Sequence, residues 1–258
     1  MPLGLCGEEV KKIAVLYAGL LRENYRDCFE SFKKNVEQQN PEYHFDYFLC
    51  FWNCETTIDD AIKIQPPRCS NILDYEDEKT KFLSDTFKYV FGLLSPNESK
   101  SRILNSFLMQ MYALKSCWGM FSKYKYEYDY VFKNRYDFLY RKSIQIPPLS
   151  RDSLHILRKQ QTYVFVDNVC IGTRKPVETY MNTYDSLIDR RFLTKKVNAR
   201  HMPPEYGFTI MRTKNFEIPY TSPERVFEEH LFNNNINFIK DLDWDAWMYG
   251  RQMPLRKK

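Results

Sequence analysis

The apolar positions of this chain alternate between two spacings, and that alternation lays out an α/β fold. Lys11-Lys12 leads into the unbroken run Ile13-Ala14-Val15-Leu16-Tyr17-Ala18, the form of a strand buried on both faces, and Gly19 ends it. A helix is predicted next. Tyr25, Cys28, Phe29, Phe32 and Val36 share one face at helical spacing, while Arg26, Glu30, Lys33, Lys34 and Glu37 occupy the other. Asn40-Pro41 stops it. The aromatic-rich segment from His44 to Trp52 reads as a second strand, which completes a β-α-β unit with an expected right-handed crossover. Residues 54–100 hold no sustained period and read as loops around a third short strand at Ile72-Leu73. Ile103, Phe107, Met111, Leu114 and Trp118 then mark a long amphipathic helix packed on the sheet, followed by the strand Tyr130-Val131-Phe132-Lys133.

Beyond Pro147-Pro148 the pattern becomes more strand-like, with apolar stretches at 162–166, 169–172 and 206–211. Pro176 fits the first turn of a helix carrying Val177, Tyr180, Met181, Tyr184 and Leu187. Thr221 or Ser222 before Pro223 opens another carrying Val226, Phe227 and Leu231. No internal repeat or low-complexity linker divides the chain, so a single domain over residues 1–258 is expected.

Composition narrows this picture. The 19 Tyr and 19 Phe are spread through every segment and so belong mostly to a core, and the 8 Gly are too few for an architecture of many tight turns. The net charge of +5 arises from 38 basic and 33 acidic residues that alternate along the chain, without the basic stripe of a nucleic-acid binder. No nucleic-acid partner is expected. The 7 cysteines sit mostly among apolar neighbours and read as reduced core thiols; Cys50, Cys54 and Cys69 lack the second close pair of a zinc site. The longest apolar run, from Ile13 to Leu21, is well short of the ~18 residues of a membrane span, and no export signal is recognisable. A cytoplasmic chain without a membrane span is expected.

Three places carry candidate chemistry. Ala18-Gly19-Leu20-Leu21-Arg22 delivers a glycine and an arginine to the end of a buried strand. There, close backbone approach, a helix N-terminus and a planar guanidinium suit a phosphate; a turn glycine beside a solvated arginine has the same spelling. Asn134-Arg135-Tyr136-Asp137 follows the strand ending near Phe132, where open α/β sheets bind ligands. Arg135 can neutralise a diphosphate, Asp137 can hold Mg²⁺ or Mn²⁺, and the two can equally pair with each other. Asp167-Asn168 interrupts a strand-like stretch, which makes Asp167 the candidate general base, although Asp-Asn also favours a turn. Glu224 is a second acidic candidate, and Thr221-x-x-Glu224 also spells a capping box. Asp241-Leu242-Asp243-Trp244-Asp245 has the spelling of a metal motif but does not follow a mid-chain strand.

Taken in order, these segments resemble a divergent family of glycosyltransferase-like proteins of the GT-A fold found in large DNA viruses and in microbes. Ile13 to Arg22 is similar to the family's opening strand with its Gly-x-x-Arg, and Phe48 to Trp52 to its second strand ending in Trp. Tyr128 to Asp137 is similar to its Tyr-Asp-x-Val-x-x-x-Arg-x-Asp strand, the counterpart of the GT-A Asp-x-Asp. Asp167 to Gly172 resembles a later Asp-x-x-x-x-Gly segment, and Pro223-Glu224 the Pro-Glu of a late helix.

The resemblance implies a GT-A-like single domain whose Rossmann-like mixed sheet is flanked by helices. A nucleotide-sugar half would span about residues 11–145 and an acceptor half residues 146–251. It implies glycosyl transfer from a nucleoside-diphosphate sugar to a hydroxyl of a glycan or glycoprotein, in the host cytoplasm if the chain is viral. Donor contacts would come from Gly19, Arg22, Trp52, Asn134, Arg135 and Asp137, a manganese or magnesium ion would sit at Asp137, and Asp167 and Glu224 would be catalytic. The departure from the GT-A Asp-x-Asp is Arg135, which stands where its first carboxylate would be. It motivates the alternative of a non-catalytic nucleotide-sugar or glycan-binding module.

Overall fold

The structure, a computed structural model, describes residues 10–53, 57–75, 98–157, 169–188, 210–212, 217–219, 227, 230–231, 234–242 and 246–248. In chain order the elements are β1 (Lys11–Ala18), α1 (Tyr25–Asn35), β2 (Tyr43–Trp52), α2 (Ile58–Ile64), β3 (Cys69–Leu73), α3 (Glu98–Phe121), β4 (Tyr130–Asn134), β5 (Phe138–Tyr140), β6 (Ser153–Leu157) and β7 (Cys170–Gly172). They continue with α4 (Arg174–Met181), α5 (Thr183–Ile188), β8 (Ile210–Arg212), β9 (Glu217–Pro219), β10 (Asn237–Leu242) and β11 (Ala246–Met248).

Seven strands form one mixed sheet in the order β10-β6-β7-β4-β1-β2-β3. The run β4-β1-β2-β3 is parallel throughout, β7 runs antiparallel to both its neighbours, and β10 is parallel to β6. Two short antiparallel pairs, β5–β11 and β8–β9, lie outside it. Strands from both halves of the chain therefore share a single sheet.

Helices cover both faces, which is why β1 is apolar at every position from Ile13 onward. Ile13, Val15 and Tyr17 face the layer of α1 and α2, and Ala14, Leu16 and Ala18 face α3 and α4. The two faces differ in grain. On the first, Tyr17 meets Phe29 and Phe32 edge-on with ring centroids 5.1 and 6.2 Å apart. On the second, small residues let α3 approach closely, and the Cys117 thiol reaches the Tyr17 carbonyl at 3.7 Å.

The elements predicted over residues 13–52, the long helix and β4 are present. Four findings differ from the sequence expectations. Residues 58–64, read as loop, form α2; its N-terminal Asp59 and Asp60 and C-terminal Lys63 suit a helix dipole, but only Ile58 and Ala61 are buried. The single helix expected after Pro176 breaks at Asn182 into α4 and α5. The strands β5, β6, β9, β10 and β11 were not anticipated, and the strand expected over 206–211 is described only from Ile210 as β8. Of the late helix, residues 227, 230 and 231 are helical, and the stretch 162–166 lies outside the described residues.

Candidate functional site

Between β1 and β4 the sheet reverses its direction of growth: the chain builds β2 and β3 on one side of β1 and returns to place β4 on the other. Ligands in open α/β sheets bind in the crevice beyond the carboxyl ends of strands at such a switch point. The Gly19–Arg22 loop follows β1, the Asn134–Asp137 loop follows β4, and the register pairs Tyr17 with Asn134. Gly19 adopts a φ of +120°, and a Cβ there would meet nothing within 4 Å, so backbone conformation rather than space requires glycine. Its N–H donates to the Cys50 carbonyl at 3.3 Å, extending the ladder one residue past β1. Leu21 is buried, the Tyr25 N–H donates to the Arg22 carbonyl at 3.0 Å, and α1 begins.

In the second loop alternate side chains turn in and out. Tyr136 points inward, its ring stacked between Tyr17 (5.3 Å, 26°) and Phe51 (5.1 Å, 15°). Its hydroxyl lies 3.2 Å from the Tyr17 carbonyl and 3.1 Å from the Cys50 carbonyl and donates to this pair. Asn134 is buried as well. Its amide donates to the Tyr17 hydroxyl at 3.0 Å, and its oxygen accepts from the Arg135 N–H at 2.8 Å and the Tyr140 hydroxyl at 3.0 Å. The structure thus places Asn134 as a brace beneath the loop, with its polar atoms engaged internally.

Arg135 and Asp137 flank that plug. Arg135 donates through Nε to Asp137 Oδ1 at 2.8 Å and through Nη2 to Oδ2 at 2.9 Å, a two-pronged pair, and Arg22 Nε reaches within 3.9 Å of the same Oδ2. Residues 115 positions apart in sequence meet here across the switch point. Burial opposes ionisation of Asp137, yet the hydrogen bonds and charge of Arg135, with the charge of Arg22, prevail and hold its carboxyl below the ordinary value. Beneath it, burial and then the Asp137 charge push the Cys28 thiol up to about 12.

Among the described residues two guanidinium groups face one carboxylate, a net positive set. Arg22 is 56% exposed, and among the described residues its guanidinium makes no hydrogen bond. For a divalent cation the fit is poor. Both Asp137 oxygens accept from Arg135, and the described residues contain no group of three or more side chains able to hold a metal.

Trp52 is core: it is 1% exposed, with Tyr112 stacked at 6.2 Å and Tyr75 edge-on at 5.8 Å. Asp167 and Glu224 lie outside the described residues, as do Asp243 and Asp245. Asp241 is in β10 at the far edge of the sheet. Sequence reading missed the roles of Tyr17 and Tyr136; the signal for Tyr136 was an aromatic between two charged residues at a strand end. It also passed over Lys133, which is fully buried with its ammonium 5.6 Å from the centre of the Tyr180 ring. No protein-family model matches the chain, and no curated protein matches it. Among the described residues no helix is long and apolar enough to cross a membrane.

Proposed function

We propose that the chain is a GT-A-type glycosyltransferase that moves a sugar from a nucleoside-diphosphate donor to a hydroxyl of a glycan or glycoprotein acceptor. The observation that carries this reading is the meeting of Arg22 and Arg135 over the β1–β4 switch point. The order β3-β2-β1-β4 is that of a Rossmann-like half, which supports a nucleotide at this end of the sheet. In the reaction the bond between the anomeric carbon and the diphosphate oxygen breaks and its electron pair stays on the diphosphate. The acceptor oxygen bonds to the anomeric carbon, and the acceptor proton passes to a base. Arg22 and Arg135 stabilise the leaving charge. The proposed base is Asp167, with Glu224 as the other acidic candidate.

The test is nucleotide release and sugar transfer across a panel of nucleotide sugars and acceptors, with wild type and Arg135→Ala compared. Loss of one preorganised charge is expected to lower turnover about 100-fold. Full turnover in Arg135→Ala overturns the site; Asp167→Asn is expected to lower turnover with little change in donor affinity. The engagement of Asp137 by arginine favours one second reading, a binding module without turnover, and donor binding with no transfer across the panel would select it.

A further inference from the structure

We infer that Arg22, Arg135 and Asp137 form a diphosphate site that needs no resident metal, in which Asp137 is a positioning residue that aims the arginines rather than a cation ligand. The inference rests on the nucleotide-sugar reading for the identity of the full ligand. It rests on the geometry alone for the anion.

The direction in which each group faces carries the argument. A divalent ion bound to Asp137 would approach one of its oxygens to about 2.0–2.6 Å. Oδ1 already accepts from Arg135 Nε, and Oδ2 accepts from Arg135 Nη2 while facing Arg22 Nε, so a cation at either oxygen sits beside a guanidinium and competes with it for the carboxylate. The loop is also fixed from below. The Arg135 N–H is held by Asn134 Oδ1, and the following Tyr136 ring is clasped between Tyr17 and Phe51. The carboxylate is thereby committed to the guanidinium. An anion meets the opposite situation. Arg22 is mostly exposed, makes no guanidinium hydrogen bond among the described residues, and stands on the other side of the switch point from β4. A diphosphate entering there can place one phosphoryl group on Arg22, which offers a planar pair of donors, and the other near the charge of Arg135. Asp137 orients both and keeps Arg135 from turning away.

The probe is inorganic pyrophosphate, titrated calorimetrically into the full chain in EDTA and again in Mn²⁺, with UDP and GDP measured in parallel. Mn²⁺ binding to the protein alone is read from the loss of the free-ion electron paramagnetic resonance signal. Pyrophosphate is expected to bind in EDTA with an affinity within about threefold of that in Mn²⁺, and Arg22→Ala and Arg135→Ala are each expected to weaken it by about tenfold or more. Because Arg22 is exposed, its variant keeps the fold, and Arg135→Lys retains the charge while removing the two-pronged pair. Binding that requires Mn²⁺, or a stoichiometric Mn²⁺ site abolished by Asp137→Asn, overturns the inference and leaves the glycosyltransferase reading standing. Metal-free pyrophosphate binding that UDP and GDP do not improve supports the anion site and defeats the nucleotide-sugar reading. Absence of pyrophosphate binding under every condition overturns the site.

Discussion

Asp137 is ionised against its own burial, so its contribution to stability depends on pH with a definite sign. Its carboxyl is held below the ordinary value, so the unfolded chain takes up the proton first as pH falls. The stabilisation is complete above the unfolded value of about 3.9 and is lost as pH falls from there through the folded value. Asp137→Asn removes a carboxylate that accepts two charged hydrogen bonds at a site 9% exposed, and should cost about 1–3 kcal/mol at neutral pH. The expected result in urea unfolding is a gap between wild type and Asp137→Asn that is constant from about pH 5 to 7 and narrows below about pH 4. A gap independent of pH would show that the carboxylate is not held ionised by the arginines.

At the scale of elements, a buried amide joins α1 to the chain after β5. Asn40 is fully buried; its Nδ2 donates to the carbonyls of Val36 at 2.6 Å and Ile144 at 2.7 Å, and its Oδ1 accepts from the Ile146 N–H at 2.8 Å. Asn35 adds a bond from its side chain to the Tyr140 carbonyl at 2.6 Å. Asn40→Ala would leave buried backbone groups of residues 144 and 146 unpaired and is expected to cost about 2–4 kcal/mol, measured as a lower urea midpoint at unchanged slope. Loss below about 0.5 kcal/mol would mean that the segment is held by its apolar contacts alone. In the sequence, Asn40 could be read only as a helix stop, because its partners beyond Val36 lie more than 100 residues away. The same limit separates the legible elements from the others. β1, α1, β2 and α3 bury long faces, and their periodicity shows it. α2 buries only Ile58 and Ala61, and β5 has only three residues, its pairing supplied by the distant β11. Neither carries enough local pattern to be seen.

The molecule as a whole is a sheet between two helical layers, and its site exists only through that assembly. Gly19, Arg22, Arg135 and Asp137 were each recognisable as residues at strand ends. Their meeting depends on β4 lying beside β1 and on Asn134 and Tyr136 turning inward, which pairing rather than spelling decides. Four thiols report on the same assembly: Cys28 in α1, Cys50 in β2, Cys117 in α3 and Cys170 in β7 are at most 1% exposed, and together they sample both faces of the sheet. Burial pushes Cys28, Cys50 and Cys170 up to about 12 and raises Cys117 well above its ordinary value. Alkylation requires the thiolate, so each thiol should react only when its layer opens. Among the described cysteines, mass-mapped labelling with iodoacetamide at pH 8 is expected to modify half-buried Cys69 first and the four buried thiols slowly, with rates that converge as urea approaches the unfolding midpoint. The folded thiols keep their protons where the unfolded chain has lost them. Their stabilisation is therefore complete below about pH 8.5 and falls as pH rises toward the folded values, by roughly 1.4 kcal/mol per pH unit for each thiol. Labelling of Cys28 alone at a rate far above the other three would show that the α1 layer opens independently of the sheet. Because the helix carrying Cys28 begins on the Arg22 carbonyl, that opening would also dismantle the anion site, and pyrophosphate should then slow Cys28 labelling in particular.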